Sequence, residues 1–309
     1  MGVCSPLQLA VHPAAQHRAA SALAVMEDAV RVPSAKSVEA TCPMYPPIKL
    51  SSPQTREFWE IPVLYEDAQL LAVSKPAGLL VCPDRYDKER SNLMKLLEEG
   101  IAQGKPWAVE RGLRYLANVH RLDFETSGVL LLAKDRESLV AMARQFESGR
   151  PDKRYVALVQ GEVGEDSFRV EVRLAPDPRQ PERMQVQRKR GKLSVTEFRV
   201  RERFRGYTLL ECRPLTGRTH QIRVHLTHRG WPVVGDKLYG GEPFFLSRVK
   251  PDYRCKPGET ERPLLARLGL HAEQLTLVHP VSGQPVVIEA PWPRDLQAAV
   301  KQLRRYAPA

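Results

Sequence analysis

The sequence predicts an α+β fold, a single domain around a large mixed or antiparallel β-sheet with flanking helices. Three observations predict it. Between Tyr155 and Leu215 extended segments follow one another with only short turns between them. Helical segments elsewhere interrupt strands without the regular alternation of a parallel α/β sheet. The chain has 309 residues, 42% of them hydrophobic, which is enough for one sizeable core.

Residues 1–56 are rich in Ala, Pro and Ser and read as a poorly ordered N-terminal extension, with Val32 to Pro53 as linker. The domain is expected over 57–309. Ile61–Tyr65 and Leu70–Val73 read as strands, and Lys75-Pro76-Ala77-Gly78 as a tight turn with proline at its second position. Asn92 is placed to cap a helix through Glu99, closed by Gly100. Gly128–Lys134 is an apolar strand. Asp135 caps a helix with Leu139, Met142, Ala143 and Phe146 at helical spacing. Strands follow at Tyr155–Val163, Phe168–Leu174, Leu193–Phe204 and Tyr207–Leu215. Thr219–Arg229 reads as a helix stopped by Gly230. Leu275–Val278 and Val286–Glu289 are further strands, and Pro293 opens a last helix with Leu296, Ala299, Val300 and Leu303 on one face.

Composition narrows the function. Forty-seven Lys and Arg against 36 acids give a net charge of +11, which favours a polyanionic partner. No apolar run is long enough to span a membrane, and no secretory signal opens the chain. The five cysteines, Cys4, Cys42, Cys82, Cys212 and Cys255, are odd in number and never paired as Cys-x-x-Cys. That argues for a reducing compartment, with the cytoplasm expected.

Polar residues crowd into two segments. The first, His120-Arg121-Leu122-Asp123-Phe124-Glu125-Thr126-Ser127-Gly128, sets a carboxylate among basic residues on a loop feeding a strand. Such a carboxylate is placed to act as nucleophile or base, or else merely to cap the loop. The second, Leu215 to Leu226, gathers Thr216, Arg218, Thr219, His220, Gln221 and Arg223 around a helix start, where backbone N–H groups favour anions. His220, His225 and His228 are not spaced to share one face, so no metal is expected.

His120-Arg121-Leu122-Asp123-x-x-Thr126-Ser127-Gly128 resembles the signature of the RluA family of pseudouridine synthases. The pattern continues in order. Asp67 with Leu70–Gly78 is similar to the family's opening strand and turn, and Lys153-Arg154-Tyr155 to its Lys-x-Tyr element. Gly217–His225 with Gly235-Asp236 resembles its third motif, and Leu270-His271-Ala272 with His279-Pro280 its C-terminal block. The resemblance covers about residues 58–306.

The resemblance implies an enzyme that isomerises uridine to pseudouridine in ribosomal or transfer RNA, with no cofactor or metal, no membrane, and a monomer as the default. Asp123 is then the essential carboxylate, Arg223 the guanidinium that favours its charged form and orients it, and Arg218 the alternative partner. Tyr155 lies against the target uracil, which must leave its stack to be reached. His120, Arg121, Thr126, Lys153, Arg218, His220, Gln221, Ile222 and Leu270 are expected to bind substrate. His120 is also expected to support the loop, and Ile222 and Leu270 to form an apolar wall. The small basic RNA-binding module that many members carry at the N-terminus has no counterpart in the composition of residues 1–56. RNA recognition is therefore expected from the basic run Gln185–Lys192 and from Phe244–Arg262.

Overall fold

A computed structural model describes residues 45–52, 55–84, 90–255 and 258–309. The first strands are β1 (Ile48–Ser52), β2 (Glu57–Ile61), β3 (Val63–Glu66) and β4 (Leu70–Lys75), followed by α1 (Leu93–Ala102), a short α2 (Pro106–Val109) and β5 (Ala117–Asn118). β6 (Ser127–Ala133), α3 (Arg136–Glu147) and β7 (Asp152–Gln160) follow. Next come β8 (Ser167–Pro176), β9 (Met184–Gln187), β10 (Lys192–Phe204) and β11 (Tyr207–Pro214). α4 (Gln221–His228), β12 (Leu270–Val278), β13 (Pro285–Glu289) and α5 (Arg294–Tyr306) complete the chain. β1 and β2 form a hairpin of their own. The other strands form one sheet in the order β3-β4-β6-β12-β7-β11-β10-β8-β9, with β13 on β12 and β5 on β6. Every pairing in it is antiparallel except β6 with β12. The expected mixed sheet with flanking helices is what forms.

β6 shows why. All seven of its residues are buried. Leu130 and Leu132 pack with α1 and Trp107 on one face, while Val129 and Leu131 pack with Met142 of α3 on the other. A strand covered on both sides reads as a continuous apolar run instead of an alternating one. Asn92 and Asp135 do cap α1 and α3, accepting from the backbone N–H of Lys95 and Ser138.

Three local expectations are corrected. Residues 48–52, expected in a linker, are strand β1. Ile48 and Leu50 alternate inward with Ser52 to join the core beneath α1, and the prolines on either side disguise that period. Residues 1–44 lie outside the described residues. Pro62 splits the strand expected over Ile61–Tyr65 into β2 and β3, since it offers no N–H to a ladder. Gly100 does not end α1. It sits inside the helix because Trp107 packs where its Cβ would be.

Gly128 joins the polar loop to β6. Its φ is +117°, and a Cβ there would overlap the backbone of Ala272 on β12. Gly128→Ala is expected to destabilise the fold by at least about 3 kcal/mol, read as a lowered Tm in thermal denaturation.

Candidate active site

The parallel pairing of β6 with β12 sets the geometry. β6 and β12 start side by side, with Ser127 opposite His271 and Gly128 opposite Ala272. Ala272 in turn lies opposite Tyr155 of β7. The Asp123 loop, Tyr155 and Leu270 therefore meet at one end of the three central strands.

The loop is held from below. Thr126 N–H closes a turn onto the Asp123 carbonyl at 3.2 Å, and Gly78 N–H donates to the Phe124 carbonyl at 2.9 Å. Lys75, fully buried, sets Nζ 2.7 Å from the Pro76 carbonyl, 2.8 Å from that of Leu79 and 3.3 Å from that of Phe124, donating to all three when protonated and to two when neutral. Burial pushes its pKa down to about 7, against the pull of Asp123. His120 supports the loop from the other end. Its Nε2 accepts the Leu131 N–H at 3.1 Å, and its ring stacks on Phe146 at 5.0 Å. Burial lowers its pKa to about 4, so it is a neutral acceptor at pH 7.

Arg223 occupies the floor. Its Nε and Nη2 donate to the two carboxylate oxygens of Asp236 at 2.7 Å each, and its Nη1 lies 3.7 Å from Oδ2 of Asp123. Burial alone would lower the pKa of Arg223, but the two carboxylates raise it. Asp236 is wholly buried, whereas the Asp123 side chain keeps 26% of its surface exposed. One guanidinium thus bridges a buried acid that fixes it and an accessible acid that it faces. Arg218 is exposed and donates to the Leu193 carbonyl at 3.2 Å.

Tyr155 packs against the apolar clusters on both sides, one of which contains Ile222 and Leu270. Burial and then the Asp123 charge push its hydroxyl above the ordinary range. Lys153 lies two residues along on the same strand face, its pKa lowered by burial. Arg121 is exposed beside Asp123. Thr126 is buried, and its hydroxyl has no partner among the described residues. Gln221 is spent on structure: it accepts from Thr216 Oγ1 at 2.7 Å and Arg218 N–H at 3.0 Å, and donates to the Val195 carbonyl and Thr196 Oγ1. His120 and Gln221, expected among the substrate-binding residues, have these ring and amide atoms engaged within the protein.

Sequence reasoning missed four members of the site. Lys75 and Asp236 stand in the sequence as parts of a turn and of family motifs, with no role of their own. Glu125, whose pKa burial raises, faces Arg223 and Asp123, and Tyr239 joins Arg223 to His220. A lysine at the end of an apolar strand was the available signal for the first. Among the described residues no three His, Cys, Asp or Glu side chains gather as metal ligands.

Residues 69–228, which span this loop, β7 and α4, match the RNA pseudouridylate synthase family. Ribosomal large subunit pseudouridine synthase D of Xanthomonas campestris pv. campestris is 39% identical over 250 residues, covering 78% of this chain and 69% of that one. The chain belongs to the RluA family of RNA pseudouridine synthases. Ribosomal large subunit pseudouridine synthase C of Escherichia coli is 37% identical over 243 residues, 78% of this chain and 70% of that one. The fold agrees as well. Human RNA pseudouridylate synthase domain containing 4 superposes with a TM-score of 0.59 at 22% identity, over 78% of this chain and 92% of that one. The protein is an RNA uridine isomerase, and no described helix is long and apolar enough to cross a membrane.

Lys75 gives the synthase a pH signature. Its pKa falls from 10.5 unfolded to about 7 folded, so between those values the unfolded chain binds a proton that the native one does not. Stability conferred at this position therefore rises with pH through that window. The unfolding free energy of wild type minus that of Lys75→Met, from urea titrations, is expected to increase from pH 7 to pH 9.5. A flat difference would contradict it.

Proposed function

We propose that the synthase isomerises specific uridines of large-subunit ribosomal RNA, using Asp123 as the essential carboxylate on a flipped-out uridine. The observation that carries this reading is the Asp123–Arg223–Asp236 array, in which the only partly exposed acid faces a guanidinium already locked from behind. The substrate class is supported by the names of the two bacterial relatives.

The reaction breaks the bond from uracil N1 to ribose C1′, turns the base, and rejoins C1′ to C5; a proton leaves C5 and N1 gains one, so the product is an isomer. A carboxylate serves either as a nucleophile at sugar or base, or as a base that removes a ribose proton to give a glycal. Both routes need the charged form, and the Arg223 guanidinium faces that carboxylate from 3.7 Å. Tyr155 offers a flat face to the uracil, with Ile222 and Leu270 as the apolar wall, and its raised pKa keeps the hydroxyl protonated as a donor. Exposed Arg121 takes the space or the phosphate of the extruded nucleotide. The turn between β9 and β10 carries exposed Arg188, Lys189 and Arg190, with exposed Lys192 opening β10, and grips the RNA backbone. A monomer working in the cytoplasm stays the expectation, since five cysteines, odd in number and never paired as Cys-x-x-Cys, fit a reducing compartment.

Tritium release from C5-labelled uridine in transcribed large-subunit RNA tests the assignment. Release from that RNA, and not from transfer RNA, is expected. Release from transfer RNA alone would reassign the substrate.

A further inference from the structure

His220, expected to bind substrate, is paired with Tyr239, a residue to which that expectation gives no part. His220 stands at the N-cap of α4 in the left-handed region, φ 53° and ψ 20°, a conformation that costs a non-glycine residue free energy. Its Nδ1 lies 2.9 Å from the Tyr239 hydroxyl, and the two rings meet edge to face at 5.7 Å. The backbone N–H of Met184 on β9 donates to the same hydroxyl at 2.8 Å. Tyr239 is buried, and its ring is flanked by the guanidinium groups of Arg223 at 5.0 Å and Arg183 at 5.3 Å. Its own N–H donates to Asp236 Oδ1 at 3.3 Å, so the acid that locks Arg223 also anchors Tyr239.

These contacts fix the proton. The Tyr239 oxygen already accepts from Met184, and among the described residues its hydrogen has one acceptor within reach, Nδ1 of His220. A proton on Nδ1 would leave the phenol hydrogen buried without an acceptor, at a cost of about 1–3 kcal/mol. Nδ1 is therefore bare and the ring proton sits on Nε2, which makes no hydrogen bond among the described residues. Burial lowers the pKa of His220, which keeps the ring neutral, and Asp123 is the charge that most opposes this.

We propose that Tyr239 is a positioning residue that holds His220 as the Nε2–H tautomer, so that His220 presents a fixed neutral donor to an acceptor oxygen of the nucleotide engaged by Asp123. This rests on the uridine-isomerase reading. A neutral donor suits the place, because a charged imidazolium would compete with Arg223 for Asp123 and a bare Nε2 would repel a carbonyl or phosphate oxygen. The ring stands two contacts from the carboxylate, since Tyr239, which it bonds, is flanked by the Arg223 guanidinium that faces Asp123. The Met184 bond further ties the tautomer to β9, and through it to the basic turn that follows.

Nitrogen-15 NMR of histidine-labelled enzyme without RNA tests the tautomer, with the His220 signals assigned by their loss in His220→Gln. Expected at pH 7 is a bare Nδ1 and a protonated Nε2, shifting to a tautomer mixture in Tyr239→Phe. A protonated Nδ1 in wild type overturns the proposal. Kinetics tests the donor. His220→Gln and His220→Ala bear the same backbone strain, but only glutamine restores an N–H at the reach of Nε2. The alanine variant is expected to fall at least about tenfold below the glutamine variant in kcat. Equal rates for the two would overturn the donor role. Wild type that makes no pseudouridine in any RNA would instead remove the isomerase reading and leave the tautomer result standing.

Discussion

Asp123→Asn lowers the rate of pseudouridine formation by at least about a thousandfold and leaves RNA binding within about threefold of wild type. Asparagine keeps the size and the turn but can neither attack carbon nor take a proton. The fold should tolerate it. The charge of Arg223 remains compensated by Asp236 through two bonds of 2.7 Å, and the Asp123 contact at 3.7 Å is the weaker of the two. Binding persists because phosphate contacts, spread over the basic surface, supply most of the affinity. Single-turnover rates and filter binding on the same RNA separate the two effects. A variant that retains more than about a tenth of the rate would remove Asp123 from its role.

Arg223→Lys has the next largest effect. Lysine keeps the charge but has no planar fork, so it cannot bond both oxygens of Asp236 and still face Asp123. The rate is expected to fall about a hundredfold, with a stability loss of about 2 kcal/mol because buried Asp236 loses part of its pairing. Lys189→Ala behaves oppositely. It sits on an exposed turn, so the rate at saturating RNA is retained, while binding weakens and the slope of log K against log salt shrinks by about one. Equal effects of the two substitutions on the saturated rate would mean that Arg223 does not orient the reacting carboxylate.

The architecture was legible in the sequence where periodicity and caps spoke clearly. Asn92 and Asp135 marked helix starts, and the apolar run of β6 marked a strand covered on both faces. β1 was hidden because five residues give too short a period to stand out between prolines. The site was legible as segments and not as an array. Asp123 and Arg223 stand out by residue type, but that the fork of Arg223 would close on Asp236 depends on where the chain after α4 returns. Lys75 looked like the edge of a turn, because its burial is created by Leu79 and Phe124 closing over it. Gln221 shows the reverse error. A polar residue in a dense motif looked like a ligand contact, and it is the brace that shapes the loop before α4.

Pseudouridine formation by this chain is expected to depend on Asp123. The most direct measurement is a pseudouridine map of total RNA from cells lacking the gene, complemented with wild type or with Asp123→Asn. Loss of a discrete site in large-subunit ribosomal RNA is expected, restored by wild type and not by the asparagine variant. No change at any site, or restoration by Asp123→Asn, would contradict it.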